Sequence, residues 1–207
     1  MNCNMTLWTQ VVEELGLARQ CEASHHPHSP EERAELFHAA DGGSTEFEYL
    51  NLVHALILAA KPSYLLETGT YNGYGTLAIA SAIALNGCGR VTSVDVGECQ
   101  GARELVKRYG LEPHVEFVQS ESVQFCAQWT NQPFDFAFFD SDVSVRHREC
   151  DLLIQRKKLS KGALAVFHDS SDTRYGVATS WEMIHYLQGL PGGLTFNLSR
   201  GLRVWQA

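Results

Sequence analysis

The stretch Tyr64 to Ile79, YLLETGTYNGYGTLAI, limits the fold more than any other part of the chain. An apolar run of strand length meets a glycine-rich bend and then an apolar run of helical length, so the segment reads as buried strand, tight turn and helix. Glycines at 69, 73 and 75 let the backbone turn sharply and let a ligand touch main chain with no Cβ in the way. The next apolar run, RVTSVDV, brings Asp95 to the tip of a neighbouring parallel strand, where a carboxylate accepts hydrogen bonds from ribose hydroxyls. A nucleoside derivative is the expected ligand.

From Ser63 onward, β-branched and aromatic runs alternate with helical stretches, the pattern of βαβ units around a parallel sheet. Seven strands are predicted, at 64–68, 90–96, 115–119, 134–140, 163–169, 194–198 and 202–206. Helices are predicted at 75–86, 100–109, 122–129, 144–159 and 177–188. Ser199, Arg200 and Gly201 are too few to carry a parallel crossover, so the last two strands must form a hairpin. The expected architecture is α/β, a doubly wound, seven-stranded, mostly parallel sheet with one antiparallel strand in that hairpin. Residues 1–62 read as an N-terminal helical cover packed over the strand ends, with helices near 6–19 and 46–60, the second capped by Ser44 or Thr45. Residues 63–207 read as the core, and 1–207 as one domain.

A formal charge of −8 without a long basic block speaks against a nucleic-acid partner. The longest apolar run, LVHALILAA, is too short to span a bilayer, so no membrane partner is expected. Six scattered cysteines without a CxxC pair are those of reduced thiols in the cytoplasm. The histidines at 25, 26 and 28 lie in a proline-broken loop at no standard metal spacing and read as a solvated turn.

In an open α/β sheet, ligands bind at the carboxyl ends of the strands. Those ends are polar here: Glu67, Asp95, Gln119 followed by Ser120, Glu121 and Ser122, then Asp140, and finally His168 and Asp169. Ser122, Ser144 and Asp169 could each be a helix cap, but five polar strand ends in register favour a site. A dinucleotide oxidoreductase is the rival for a glycine bend of this kind. Pyrophosphate, however, disfavours a carboxylate such as Glu67 beside it, whereas a ligand with an ammonium and a sulfonium tolerates one.

With LLETGTYNGYGTLAIA, FDFAFFDSD and LSKGALAVFHDSS, the chain resembles the Rossmann-like class I S-adenosylmethionine-dependent methyltransferases. It is most similar to their small O-methyltransferase group, which includes the catechol, caffeoyl-CoA and cephalosporin-hydroxylase-like branches. The resemblance runs from about Glu46 to the C-terminus. It implies that Glu67, Gly69, Thr70, Tyr71, Asn72, Gly73, Gly75 and Thr76 hold the methionine moiety, that Asp95 binds the ribose, and that Ser120, Glu121 and Ser122 line the adenine pocket. It places Asp140 beside the reactive methyl, and puts His168 and Asp169 where metal-dependent members carry Asp-Asn, so that Asp140, His168 and Asp169 are candidate ligands for Mg²⁺, Mn²⁺, Fe²⁺ or Zn²⁺. The group's catalytic lysine is replaced by Val143. His168 is the candidate general base, acting directly or through a metal.

The expected reaction is O-methylation of a small-molecule hydroxyl. N-methylation and a non-catalytic S-adenosylmethionine-binding module are the alternatives. The expected partner is a small-molecule acceptor, and a homo-oligomer is left open. His147 and Arg148 could face the acceptor or solvent, and Tyr71 and Tyr74 could line an acceptor site.

Overall fold

The computed structural model describes residues 7–14, 37–171 and 181–207. Its sheet has seven strands in the order β3-β2-β1-β4-β5-β7-β6. These are β1 (Tyr64–Thr68), β2 (Arg90–Asp95), β3 (Val115–Gln119), β4 (Phe134–Phe139), β5 (Leu159–His168), β6 (Leu194–Phe196) and β7 (Leu202–Gln206). β1 to β5 are parallel, and β7 runs antiparallel to both β5 and β6. The strand order reverses between β1 and β4, the place where open sheets of this kind bind ligands.

The described helices are α1 (Leu7–Glu14), α2 (Phe47–Ala60), α3 (Tyr74–Asn86), α4 (Gln100–Arg108), α5 (Ser122–Gln128), α6 (Arg146–Gln155) and α7 (Trp181–Gly189), with a 3₁₀ turn at Glu112–His114. The period of two along each strand divides the core. Leu65, Phe136, Phe138 and Val166 point to the α3 face, while Leu66, Ala137, Phe139, Ala165 and Phe167 point to the face covered by α5, α6 and α7. α3 is buried along Thr76 to Ile83 because α2 packs on its outer side, and Trp8 and Val11 of α1 join the same cluster. The N-terminal helices thus form a layer beside α3 instead of lying over the strand ends. Among the described N-terminal residues, only the segment leading into α2 reaches those ends.

Several boundaries differ from the sequence expectation. β5 begins at Leu159, not at 163, and α6 stops at Gln155. Ser160, Lys161 and Gly162 have weak strand propensity, but pairing of Leu159 with Phe134 extends the ladder across a bulge opposite Asp135. Gly162, at φ 84°, supplies the bulge conformation. Neither Ser44 nor Thr45 caps α2, whose N-cap is Glu46. Ser122, Ser144 and Asp169 cap no described helix by a side-chain hydrogen bond. The rest of the predicted 6–19 helix, residues 177–180 and the His25, His26, His28 group lie outside the described residues. Cys88, Cys99, Cys126 and Cys150 are free thiols. No helix among the described residues is long and apolar enough to cross a membrane.

Candidate active site

The ladder continues one residue past each central strand, with Gly69 N–H donating to Val94 O (2.8 Å) and Asp140 N–H to Thr68 O (2.9 Å), so the glycine bend and Asp140 leave the sheet side by side. They line one cleft with Gly43, Ser44 and Thr45. Gly69, at φ 89°, must be glycine twice over, since a Cβ would also run into the Asp140 carbonyl and come within 2.7 Å of Ser141 N. Gly73, at φ 86°, lets α4 approach, a Cβ there lying 2.7 Å from Ala102 Cα. At Gly75 the obstruction would be the Glu67 carboxyl. The three glycines serve close packing behind the bend as well as open main chain in front of it.

The bend is held from two sides. Asp95 accepts from Tyr71 N–H (3.1 Å) and Gly97 N–H (2.8 Å), which supports Tyr71 at φ 46°. Asn72 Nδ2 donates to Asp41 Oδ2 (2.8 Å), and Asp41 Oδ1 accepts from the N–H groups of Gly43 (2.8 Å) and Ser44 (2.9 Å). The segment before α2 is thereby fastened to the glycine bend.

Glu67 and Thr76 do not face the cleft. Both are buried behind the bend, where Glu67 Oε2 accepts from Thr76 Oγ1 (2.5 Å) and Ser93 Oγ (2.6 Å). Burial pushes the Glu67 carboxyl up to about 8, against the pull of those two hydroxyls. Thr70 and Asn72 lie in the cleft wall with Tyr71, whose ring is exposed. Ser120 follows β3 beside Asp95, its N–H on Asp95 O (2.8 Å), and Glu121 is exposed next to it. Ser122 is turned away, its hydroxyl donating to Glu149. Glu149 also accepts from Thr68 (2.8 Å) and Ser141 (2.6 Å), and its burial raises its pKa. His147 packs against Tyr186 (6.1 Å), and Trp181 stacks on His185 (5.7 Å), so neither belongs to the cleft.

Asp140 and His168, two residues beyond Phe138 and Val166, point to the α2 side of the sheet by the same alternation that sorts the core. There they meet the start of α2. His168 Nδ1 lies 2.8 Å from Asp140 Oδ1, and Nε2 lies 2.6 Å from Glu46 Oε2. Arg146 Nη2 lies 3.3 Å from Asp140 Oδ1 and 3.0 Å from Asp169 Oδ2. Arg200 reaches Glu46 Oε2 (3.3 Å) and Asp169 Oδ1 (3.6 Å) from the hairpin link. Ser199 Oγ and Arg200 N–H also donate to Glu46 Oε1. Asp169 (φ 51°) and Ser199 (φ 51°) hold left-handed conformations that cost about 1 kcal/mol or more each, as is found where a site over-determines its backbone.

Burial opposes the charge on His168, but the carboxylates of Asp169 and Asp140 hold its pKa well above the ordinary value. Glu46 and Asp169 are likewise held below the carboxylate range, by His168 with Arg200 and by His168 with Arg146, against their burial. His168 is 1% exposed, with both ring nitrogens on carboxylates, so it cannot take a proton from an acceptor directly. The residue of this group that faces the cleft is Asp140, 16% exposed, with Thr45 Oγ1 donating to its Oδ2.

Glu46, Thr45, Arg146, Ser199 and Arg200 were not singled out as site residues from the sequence. Arg146 alone left a signal there: the helical spacing of Arg146, Glu149, Cys150 and Leu153 puts a charged pair on the buried face of α6.

Residues 66–170, more than half of the chain, match the family described as a methyltransferase domain. The chain belongs to that family. Over 153 residues the chain is 30% identical to a caffeoyl-CoA O-methyltransferase of Populus kitakamiensis, covering 67% of this chain and 63% of the relative. A tapetum-specific methyltransferase of Arabidopsis thaliana is 33% identical over 82 residues, with 37% of this chain and 34% of the relative covered. The matched segments thus span between a third and just under two thirds of the curated relatives' lengths. Among solved structures, an O-methyltransferase of Bacillus cereus in complex with SAH has a TM-score of 0.65 at 18% identity, covering 100% of this chain and 93% of that one. TomG of Streptomyces achromogenes, in complex with SAM, has 0.63 at 16% identity, with 95% of each chain covered. These two likenesses establish the fold.

Proposed function

We propose that this protein transfers the methyl group of S-adenosylmethionine to a hydroxyl oxygen of a small molecule. The observation that carries the reading is the shared wall: open main chain of a glycine bend and the carboxylate of Asp140 line the same cleft at the reversal of strand order. In this reading the bend from Gly69 to Gly75 receives the methionine end of the cofactor. Asp95, at the tip of β2, receives the ribose, and Ser120 and Glu121 flank the adenine.

Asp140 does the work on the acceptor side. Its rotamer is fixed by Thr45 and His168, so it can accept the acceptor's hydroxyl proton and aim the oxygen at the methyl carbon. As the oxygen–carbon bond forms, the carbon–sulfur bond breaks, its electron pair stays on sulfur, and the proton passes to the carboxylate. His168 and Glu46 are positioning residues behind it. The names of the relatives support oxygen as the acceptor atom.

The reading is tested by calorimetry with SAH and by a mass-spectrometric screen of hydroxylated small molecules with S-adenosylmethionine. Asp140→Asn should lower turnover by about a hundredfold or more, while SAH affinity stays within severalfold. Absence of SAH binding by the wild type would refute the proposal.

A further inference from the structure

We propose that the guanidiniums of Arg146 and Arg200 are built-in counter-charges that stand where a divalent cation would otherwise bind, so that the site works without a metal. The inference rests on the proposed reaction only for what the site is used for; the competition for donor atoms is a matter of geometry. Asp140, His168 and Asp169 bring one potential ligand atom each within 4.8 Å of one another, the spacing of a metal site. His168 has both ring nitrogens on carboxylates, Asp140 both oxygens on donors and Asp169 its Oδ2 on Arg146, with Oδ1 at ion-pair distance, 3.6 Å, from Arg200 Nε.

Both nitrogens of His168 lie at hydrogen-bond distance from carboxylate oxygens, Nδ1 from Asp140 and Nε2 from Glu46. Each ring nitrogen thus already faces a carboxylate oxygen, and an ion could reach it only by displacing that contact. Between Asp140 Oδ1 and Asp169 Oδ2, in the place of a bridging cation, stands Nη2 of Arg146. That guanidinium is 3% exposed and cannot swing aside cheaply, because it also donates through Nε to Ser141 O (2.7 Å) and through Nη1 to His168 O. Arg200 closes the other side, between Asp169 and Glu46.

The two guanidiniums and the ring of His168 therefore already occupy the carboxylates of Asp140, Asp169 and Glu46. Adding a doubly charged ion would leave an uncompensated charge away from water, or would require expelling a guanidinium that the backbone holds. Glu46 makes the difference geometrically: its carboxylate occupies the second ring nitrogen of His168. It also ties the arrangement to the start of α2 and to the hairpin, through Ser199 and Arg200.

The test uses the wild-type chain, so it does not depend on a variant folding. Protein freed of metal with EDTA is titrated with Mn²⁺ and followed by electron paramagnetic resonance, with and without SAH. The melting temperature and the SAH dissociation constant are measured in the same samples. The expected result is that Mn²⁺ keeps the signal of the free aqua ion, that neither EDTA nor Mn²⁺ moves the melting temperature, and that the SAH dissociation constant changes by less than about twofold. One Mn²⁺ bound per chain, with a higher melting temperature, would overturn the inference. Failure to bind SAH with or without metal strikes instead at the proposed function.

Discussion

Glu67 has its carboxyl at the centre of the α3 face, where burial makes the neutral form the comfortable one and two hydroxyls satisfy one of its oxygens. Its folded value of about 8 lies above the ordinary 4.5, so the native state holds this proton more tightly than the unfolded chain does. The stability that follows is fully present below about pH 4.5 and is lost as pH rises through about 8. Urea unfolding of the wild type at pH 5 and pH 8.5 should therefore show a fall that Glu67→Gln reduces by a few kcal/mol. Equal pH dependence in the two proteins would show that Glu67 does not hold a native-state proton. The same residue marks what could be read from the chain at this scale. Gly69 to Gly75, Asp95 and Asp140 sit at strand ends that alternation and glycine spacing make visible. Whether Glu67 faces the ligand or the core depends on α3 closing over it. Glu46 and Arg200 meet across 154 positions of sequence, and no local pattern announces such a pair.

At the scale of elements, the cleft is built by three connections: the glycine bend, the segment into α2 and the hairpin link. Gly69→Ala would force a Cβ into the Asp140 backbone at φ 89°, and a loss of about 2 kcal/mol or more is expected, together with loss of SAH binding. Gly42→Ala is the control: a Cβ there meets nothing within 4 Å, and stability should stay within about 0.5 kcal/mol. Denaturant midpoints at a common m-value compare the two. Glu46 joins the segment and the hairpin, and it is fully buried between His168 and Arg200. Glu46→Ala leaves those cations short of an anion, a change that typically costs about 3–5 kcal/mol, and an unaltered urea midpoint would deny Glu46 this joining role. The hairpin was legible because three residues cannot make a crossover. The early start of β5 was not, because Ser160, Lys161 and Gly162 follow the pairing of Leu159 with Phe134 against their own propensities.

At the scale of the whole molecule, the sheet separates two apolar clusters, and the cleft opens where both end, at the strand tips between β1 and β4. The clusters fix the strands, and the strands fix Gly69 and Asp140 side by side before any ligand arrives. A cofactor that binds this prepared native state but not the unfolded chain must raise stability by mass action. At a hundredfold excess over its dissociation constant, SAH should add about 2.7 kcal/mol, which for a chain of this length moves the melting temperature by roughly 5–10 °C. NADH at the same concentration should leave it unchanged, because the carboxylate of Asp140 beside the bend disfavours a pyrophosphate as it tolerates a sulfonium and an ammonium. A shift with NADH and none with SAH would assign the cleft to a dinucleotide and overturn the methyltransferase reading, while leaving the fold and its two clusters as they stand.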